Sequence, residues 1–168
     1  DTSGFDAGFD ISTHKVFDGD VGYSGEGFVN LPISDKAALR LVGWTVENAG
    51  YIDNVASTIT FGPTARSGGA RLGDRAGQSV ENSAFVEDDF NKETKNGARA
   101  ALGVDINENW TATLRAQYQE QETEGVFFHD PVDIGDLQVS RFFDDKFRDE
   151  FVQIGASVEG KVGGLTLN

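Results

Sequence analysis

The chain has 168 residues, of which 38% are hydrophobic, 21 are glycine and 13 are phenylalanine. Glycine at this level, beside many aromatics, favours strands and turns over helices. The net charge of −14 opposes binding to phosphate backbones, so no nucleic-acid partner is expected. Because cysteine is absent, disulfides, zinc-thiolate sites and thiol chemistry are excluded. Methionine is absent as well, so we expect a mature, cleaved or excised segment.

Apolar and polar residues alternate with a period of two through much of the chain, which predicts β-strands. The short polar turn at 107–109 predicts an antiparallel hairpin between its two neighbouring strands. The expected fold is therefore all-β, with antiparallel strands running up and down. In chain order the predicted strands are 5–12, 21–33, 37–47, 97–106, 110–119, 152–159 and, as a partial strand, 165–168.

The connections between the predicted strands alternate in length. Residues 14–20, 47–94 and 122–146 form the longer connections, and short turns separate them. A soluble sandwich has no reason for this alternation, whereas an outer-membrane barrel has short periplasmic turns and longer outside loops. The pattern therefore predicts transmembrane β-strands.

The two faces of the predicted strands differ in charge. Arg40, Arg99 and Arg115 lie opposite the apolar sets of their strands, and Trp110 and Tyr118 begin and end one apolar face. An arginine facing lipid at mid-bilayer costs about 2–4 kcal/mol, so this placement favours lipid on the apolar side. The alternative is an ordinary half-buried antiparallel sheet, which also alternates. The residues expected to face lipid are Leu102, Val104, Leu114, Tyr118, Val152 and Ile154.

Four segments in order carry a family resemblance: 27–44 (GFVNLPISDKAALRLVGW), 50–55 (GYIDNV), 96–102 (NGARAAL) and 110–114 (WTATL). Together they resemble the early barrel of TonB-dependent outer-membrane receptors, and the second segment is similar to the large receptor class of sphingomonad-type Gram-negative bacteria. The resemblance implies a transmembrane barrel of about 22 strands with an N-terminal plug. It also implies uptake of an iron chelate, cobalamin or an oligosaccharide, with the TonB complex, the lipid bilayer and a small nutrient ligand as partners.

Residues 1–168 then correspond to a part of that barrel, with long loops at 47–94 and 122–146. We expect the plug domain and the energy-coupling box to be absent from this chain. Since the smallest such barrels need about eight strands, about six strands and part of a seventh are not expected to transport by themselves.

The competing expectation is a structural one. A piece of a barrel has two unpaired edges and an apolar face without lipid, and stacking on copies of itself satisfies both. The product is an extracellular, amyloid-like fibre with cross-β order. The low proline content, three residues in all, favours such stacking, whereas 21 glycines and a net charge of −14 oppose it. An enzyme is not expected, since His14 and His129 lie far apart and no nucleophile grouping surrounds either of them.

Acidic residues concentrate in the two long loops. Residues 47–94 contain eight acidic and four basic side chains, and residues 122–149 contain eight and three. Carboxylates are ligands for calcium, which is the only cofactor candidate, and a solvated loop surface is the simpler interpretation. The candidate calcium ligands are Glu87, Asp88, Asp89, Asp144 and Asp145.

Two further groups of loop residues are candidates for contact with a ligand or partner. Three arginines among glycines could hold an anion, although a flexible loop is the simpler interpretation. Exposed phenylalanine pairs are costly unless they pack or grip a ligand. These candidates are Arg66, Arg71 and Arg75, and Phe127, Phe128, Phe142 and Phe143.

Overall fold

The computed structural model describes residues 2, 4–62, 66–67, 70–71, 75–163 and 165–167. Within this part, the named elements are a 3-10 turn at Ser83–Phe85 and thirteen strands. The strands are β1 (Asp6–Lys15), β2 (Val21–Ser34), β3 (Ala37–Asn48), β4 (Asp53–Asn54), β5 (Thr58–Thr60), β6 (Arg66–Ser67), β7 (Ala70–Arg71), β8 (Ser79–Glu81), β9 (Glu93–Asn107), β10 (Trp110–Glu124), β11 (Gln138–Val139), β12 (Lys146–Val162) and β13 (Leu165–Leu167).

One sheet of seven strands dominates the molecule, in the order β1-β2-β3-β9-β10-β12-β13. Every neighbouring pair is antiparallel, and the strands follow one another up and down without a crossover among them. The sheet is not closed, since β1 pairs only with β2, and β13 only with β12, in the part of the chain that is described. The predicted all-β, antiparallel, up-and-down architecture is therefore confirmed.

The strands extend further than the alternation predicts. β9 begins at Glu93 and β12 at Lys146, well before the predicted starts at 97 and 152. Ion pairs stabilise these extensions: Lys146 Nζ lies 2.8 Å from Glu124 Oε1, and Arg148 Nη2 lies 2.7 Å from Glu120 Oε2. Charged side chains occur on both faces here, and Phe147 and Phe151 lie on the face opposite Val152. The alternation of apolar and polar residues therefore no longer indicates the strands before they end.

The described residues within 49–92 and 125–145 fold together at one end of the sheet, and we refer to them as the loop layer. β4 pairs in parallel with β11, and β5 pairs with β8. A buried core of Ile52, Phe90 and Val139 holds the layer together, with Tyr51 and Val126 packed against it. The long connections predicted as loops therefore contain a packed core, whereas the main sheet leaves large hydrophobic side chains exposed.

Candidate functional site

Cross-strand partners place alternate residues of the long strands on one common face, the apolar face. Four rows of partners cross this face without a charged side chain, and we refer to them as the apolar band. From the tight turns toward the loop layer, the rows are Ala37, Val104, Ala112 and Val158; Leu31, Leu39, Leu102, Leu114 and Ala156; Ala7, Val29, Leu41, Ala100, Ala116 and Ile154; and Phe9, Gly27, Gly43, Ala98, Tyr118 and Val152.

The apolar band leaves bulky side chains uncovered. Phe9 is 83% exposed, Ile154 73% and Val152 69%. Monomeric soluble proteins rarely expose contiguous apolar patches of this kind, which instead mark contact with a membrane or another protein. The six residues predicted to face lipid all lie in the band, with Leu102 opposite Leu114. Their contact with lipid stays a prediction.

Two aromatic residues on β10 mark the ends of the apolar band. The strand from Trp110 to Tyr118 spans about 27 Å, which corresponds to about 20 Å of height at a tilt near 40°. The Trp110 ring packs over Gly160, where a Cβ would collide with it. At the other end the Tyr118 hydroxyl lies 3.2 Å from both Glu120 Oε2 and Glu150 Oε2. The height approaches the apolar belt of about 25 Å on outer-membrane barrels.

The opposite face of the sheet, the polar face, contains the arginines that lie at the height of the band. Arg40 and Arg115 share a row, and Arg99 lies in the next row. Phe28, which interrupts the alternation of β2, lies on this face beneath Arg40, whose guanidinium carbon is 3.9 Å from the ring centroid. The same ring covers Gly8 of β1. A cation–π contact and a glycine neighbour therefore accommodate an aromatic on the polar side.

In the loop layer, Asn82 joins segments that are distant in sequence. Its side chain is fully buried. The Ser57 amide donates to Asn82 Oδ1 at 2.6 Å, and Asn82 Nδ2 donates to the carbonyls of Val55 at 2.8 Å and Arg141 at 3.1 Å. One side chain thus pairs with three backbone groups that have no partner in a β-ladder. Such pairing is needed because buried backbone groups outside regular structure must still form hydrogen bonds.

Two more buried asparagines act similarly. Asn54 Oδ1 accepts the Arg141 amide at 2.6 Å, and Asn91 Oδ1 accepts the amides of Tyr51 and Ile52 at 2.8 and 2.7 Å. Asn91 Nδ2 is buried without a hydrogen-bond partner in the described structure. None of the three buried asparagines is among the residues predicted from the sequence. The local signal for two of them is an asparagine close to large apolar residues, as in 52–55 (IDNV) and 90–91 (FN).

The predicted calcium ligands do not come together at one place. Glu87 and Asp144 line a depression of about 250 Å³ with Glu124, where Lys146 already lies 2.8 Å from Glu124 Oε1. Asp145 instead forms an ion pair with the Arg141 guanidinium, with Nη2 3.0 Å from Oδ1. In the described residues, no group of three or more His, Asp and Glu side chains is arranged to hold a metal ion. Calcium binding stays a prediction.

The remaining two candidates, Asp88 and Asp89, lie beside other carboxylates. The Asp89 amide donates to Asp53 Oδ1 at 3.0 Å, and Asp89 adopts a left-handed conformation with φ 52°. Burial, followed by the charges of Asp53, Asp20 and Asp88, raises the pKa of Asp89 above its ordinary value. Protonation is therefore easier here than at an isolated aspartate.

The phenylalanine candidates are mostly uncovered. Phe127, Phe128 and Phe143 are 56%, 61% and 54% exposed, whereas Phe142 is half-buried. The Arg141 guanidinium carbon lies 4.6 Å from the centroid of the Phe143 ring. These rings therefore offer apolar surface on the loop layer.

The arginine candidates are only partly described. Arg75 is exposed. Arg66 and Arg71 are backbone partners in the ladder between β6 and β7, and their side chains lie outside the described residues.

Comparisons with protein-family models, with curated proteins and with solved structures found no match. The described residues include no helix that is long and apolar enough to cross a membrane.

Proposed function

We propose that this chain forms part of the wall of an outer-membrane receptor of the TonB-dependent kind. The observation that carries the proposal is the apolar band, which crosses six strands on one face without a charge. Arg40, Arg99 and Arg115 lie at the same height on the other face. Such a division suits a sheet between hydrocarbon and a wet interior, because charge at mid-bilayer is costly only on the lipid side.

The two ends of the sheet support one orientation in the membrane. Tight turns at 35–36 and 108–109 close one end, and the loop layer covers the other. Outer-membrane barrels have short turns at the periplasm and long loops outside the cell. The loop layer, with its exposed Phe127 and Phe128, then faces the medium and is the part that meets an incoming nutrient.

Transport requires a closed barrel, which needs more strands than the described sheet contains. Seven strands form an open sheet here, whereas closure needs about eight strands in the smallest barrels. The proposal is therefore a wall segment within a larger receptor, whose ligand is an iron chelate, cobalamin or an oligosaccharide and whose energy comes from the TonB complex. The family resemblance and the wall geometry support this assignment together.

A pair of neighbouring substitutions tests the proposal. Leu114→Arg places a charge in the second row of the apolar band, and Thr113→Arg places the same charge on the polar face, opposite Gly103 and Ser157. We expect Leu114→Arg to weaken insertion of the full chain into lipid vesicles by about 2–4 kcal/mol. Thr113→Arg is expected to insert like the unsubstituted chain, because its arginine faces water. Equal insertion of the two variants would refute the assignment of Leu114 to the lipid side of the sheet.

One observation favours a structural fibre as a second candidate. The ten residues of β1 pair on one side only, and Phe9 and Ile11 on this edge are 83% and 72% exposed. An open, apolar edge strand is a template for another copy. Fibre diffraction separates the two functions, since stacked copies give a reflection near 4.8 Å along the fibre axis and a membrane wall gives no fibre.

A further inference from the structure

Three arginines on the polar face are close neighbours, although they come from three strands. Arg40 of β3 and Arg115 of β10 are both register partners of Ala101 on β9. Arg99 of β9 is one step further along, opposite Val42. It is therefore a diagonal neighbour of both other arginines, at about 7–8 Å, and Arg40 and Arg115 are about 9.5 Å apart across β9. We refer to Arg40, Arg99 and Arg115 as the arginine triangle.

The side chains around the arginine triangle bring no negative charge. Register partners and same-face neighbours along each strand are all uncharged. Among the described residues, no salt bridge involves any of the three arginines. These neighbours are Asn30, Ala38, Val42, Gly97, Ala101, Thr113, Gln117 and Gly155.

Like charges at these spacings repel, and the repulsion is only partly screened at a Debye length of about 10 Å. The rest of the chain has a net charge that is strongly negative, so acidic side chains are plentiful elsewhere. Arg115 Nη1 lies 3.5 Å from Ser157 Oγ, and Arg40 lies over Phe28, but no described carboxylate neutralises any of the three charges. The cluster is therefore a local feature of this face rather than a consequence of composition.

A depression of about 230 Å³ lies within this cluster, lined by Arg99, Arg115, Gln117, Gln153 and Gly155. A Cβ added at Gly155 would meet nothing within 4 Å, so the depression is open at that position. Its volume is below the range of about 300–1,000 Å³ typical of whole-ligand pockets, which suits a single charged group. Guanidinium forks bind planar oxygens in pairs, and the glutamine amides add donors.

We propose that the arginine triangle is a binding site for a small oxyanion with at least two negative charges, of the phosphate or dicarboxylate class. Arg99 and Arg115 contact the anion directly, with Gln117 and Gln153 beside it. Arg40, held over Phe28, contributes its charge from across β9. The site depends on the register of the sheet and on no membrane setting, so its failure would leave the proposed wall function intact.

The test is thermal unfolding of the full chain in detergent micelles, with inorganic phosphate or succinate added at constant ionic strength. Since a ligand that binds only the folded state stabilises it, we expect the unfolding midpoint to rise with phosphate, succinate or both. Arg99→Gln and Arg115→Gln should each weaken binding at least tenfold. Lys36→Gln, which makes the same charge change at the exposed turn at 35–36, should bind like the unsubstituted chain.

A charge-conserving variant distinguishes a loss of binding from a folding defect. Arg115→Lys keeps the charge but loses the fork, and we expect binding between that of the unsubstituted chain and Arg115→Gln. A response to only one of the two anions would identify its class. Sodium chloride stabilising as much as either anion would overturn the proposal, as would an equal loss of affinity in Lys36→Gln.

Discussion

Removing the Asn82 side chain perturbs the loop layer at a single point. Asn82→Ala deletes the acceptor for the Ser57 amide and the donors for the Val55 and Arg141 carbonyls. The Arg141 carbonyl keeps Asn54 Nδ2 at 3.3 Å as a donor. The Ser57 amide and the Val55 carbonyl therefore lose the partner that Asn82 provides.

The magnitude follows from these two groups. A buried backbone group without a partner costs about 1–3 kcal/mol, so two cost about 2–6 kcal/mol, and water entering the vacated space favours the lower half. We therefore expect Asn82→Ala to destabilise the loop layer by about 3 kcal/mol, which is more than a hundredfold in its local opening equilibrium. The main sheet should change little, because its ladders do not include Asn82.

Hydrogen exchange followed by mass spectrometry measures this directly. Peptides covering 53–60 and 138–142 should exchange faster in Asn82→Ala, and peptides within β10 should not change. Asn82→Asp keeps the acceptor for Ser57 but places a buried carboxylate oxygen against the Val55 and Arg141 carbonyls, so it should show an effect at least as large at neutral pH. Asn109→Ala, an exposed asparagine in a tight turn, is the matched control. Unchanged exchange at 53–60 and 138–142 in Asn82→Ala would refute the role of the buried asparagine.

Two other sites give sharp expectations. The raised pKa of Asp89 favours the folded state at low pH, so this contribution is complete below the ordinary value of 3.8 and is lost as the pH rises through the folded pKa. Asparagine tolerates the left-handed backbone at this position, so Asp89→Asn should reduce the change of the unfolding midpoint with pH between the ordinary and the raised pKa of Asp89. An unchanged dependence of the midpoint on pH would contradict a contribution from Asp89. A Cβ at Gly97 would collide with the Trp44 ring, whereas one at Gly103 on the same strand and face meets nothing within 4 Å. Gly97→Ala should therefore lower the unfolding midpoint and shift tryptophan fluorescence, and equal midpoints for Gly97→Ala and Gly103→Ala would contradict the packing.

The strands and their faces are readable from the sequence because a strand repeats every two residues. In the register, Leu102 and Leu114 are partners, and Arg99 and Arg115 lie on the other face. Phe28 departs from the alternation, and its place depends on contact with Arg40 and Gly8 across two strand pairings. Val42 and Trp44 also lie on the polar face. Alternation within one strand contains no information about such neighbours.

The loop layer is not predictable in the same way. Asn54 and Arg141 are separated by 87 positions, and the hydrogen bond between them follows from tertiary folding rather than from any local pattern. The predicted calcium ligands illustrate the same dependence on tertiary folding. Asp145 forms an ion pair with Arg141, and Glu87 forms one with Lys92. Composition identifies acidic loops, but the partner of each carboxylate depends on the fold.

The most direct test is a cysteine scan of residues 110–118 in β10. Because the chain has no native cysteine, each label attaches at the introduced position alone. A nitroxide at each position of the vesicle-bound chain reports access to oxygen, which concentrates in hydrocarbon, and to a water-soluble relaxant. The account predicts strict alternation, with Ala112, Leu114 and Ala116 accessible to oxygen and Thr113 and Arg115 to the aqueous reagent. Uniform access along the strand, or spin exchange between identical positions of stacked copies, would contradict the account.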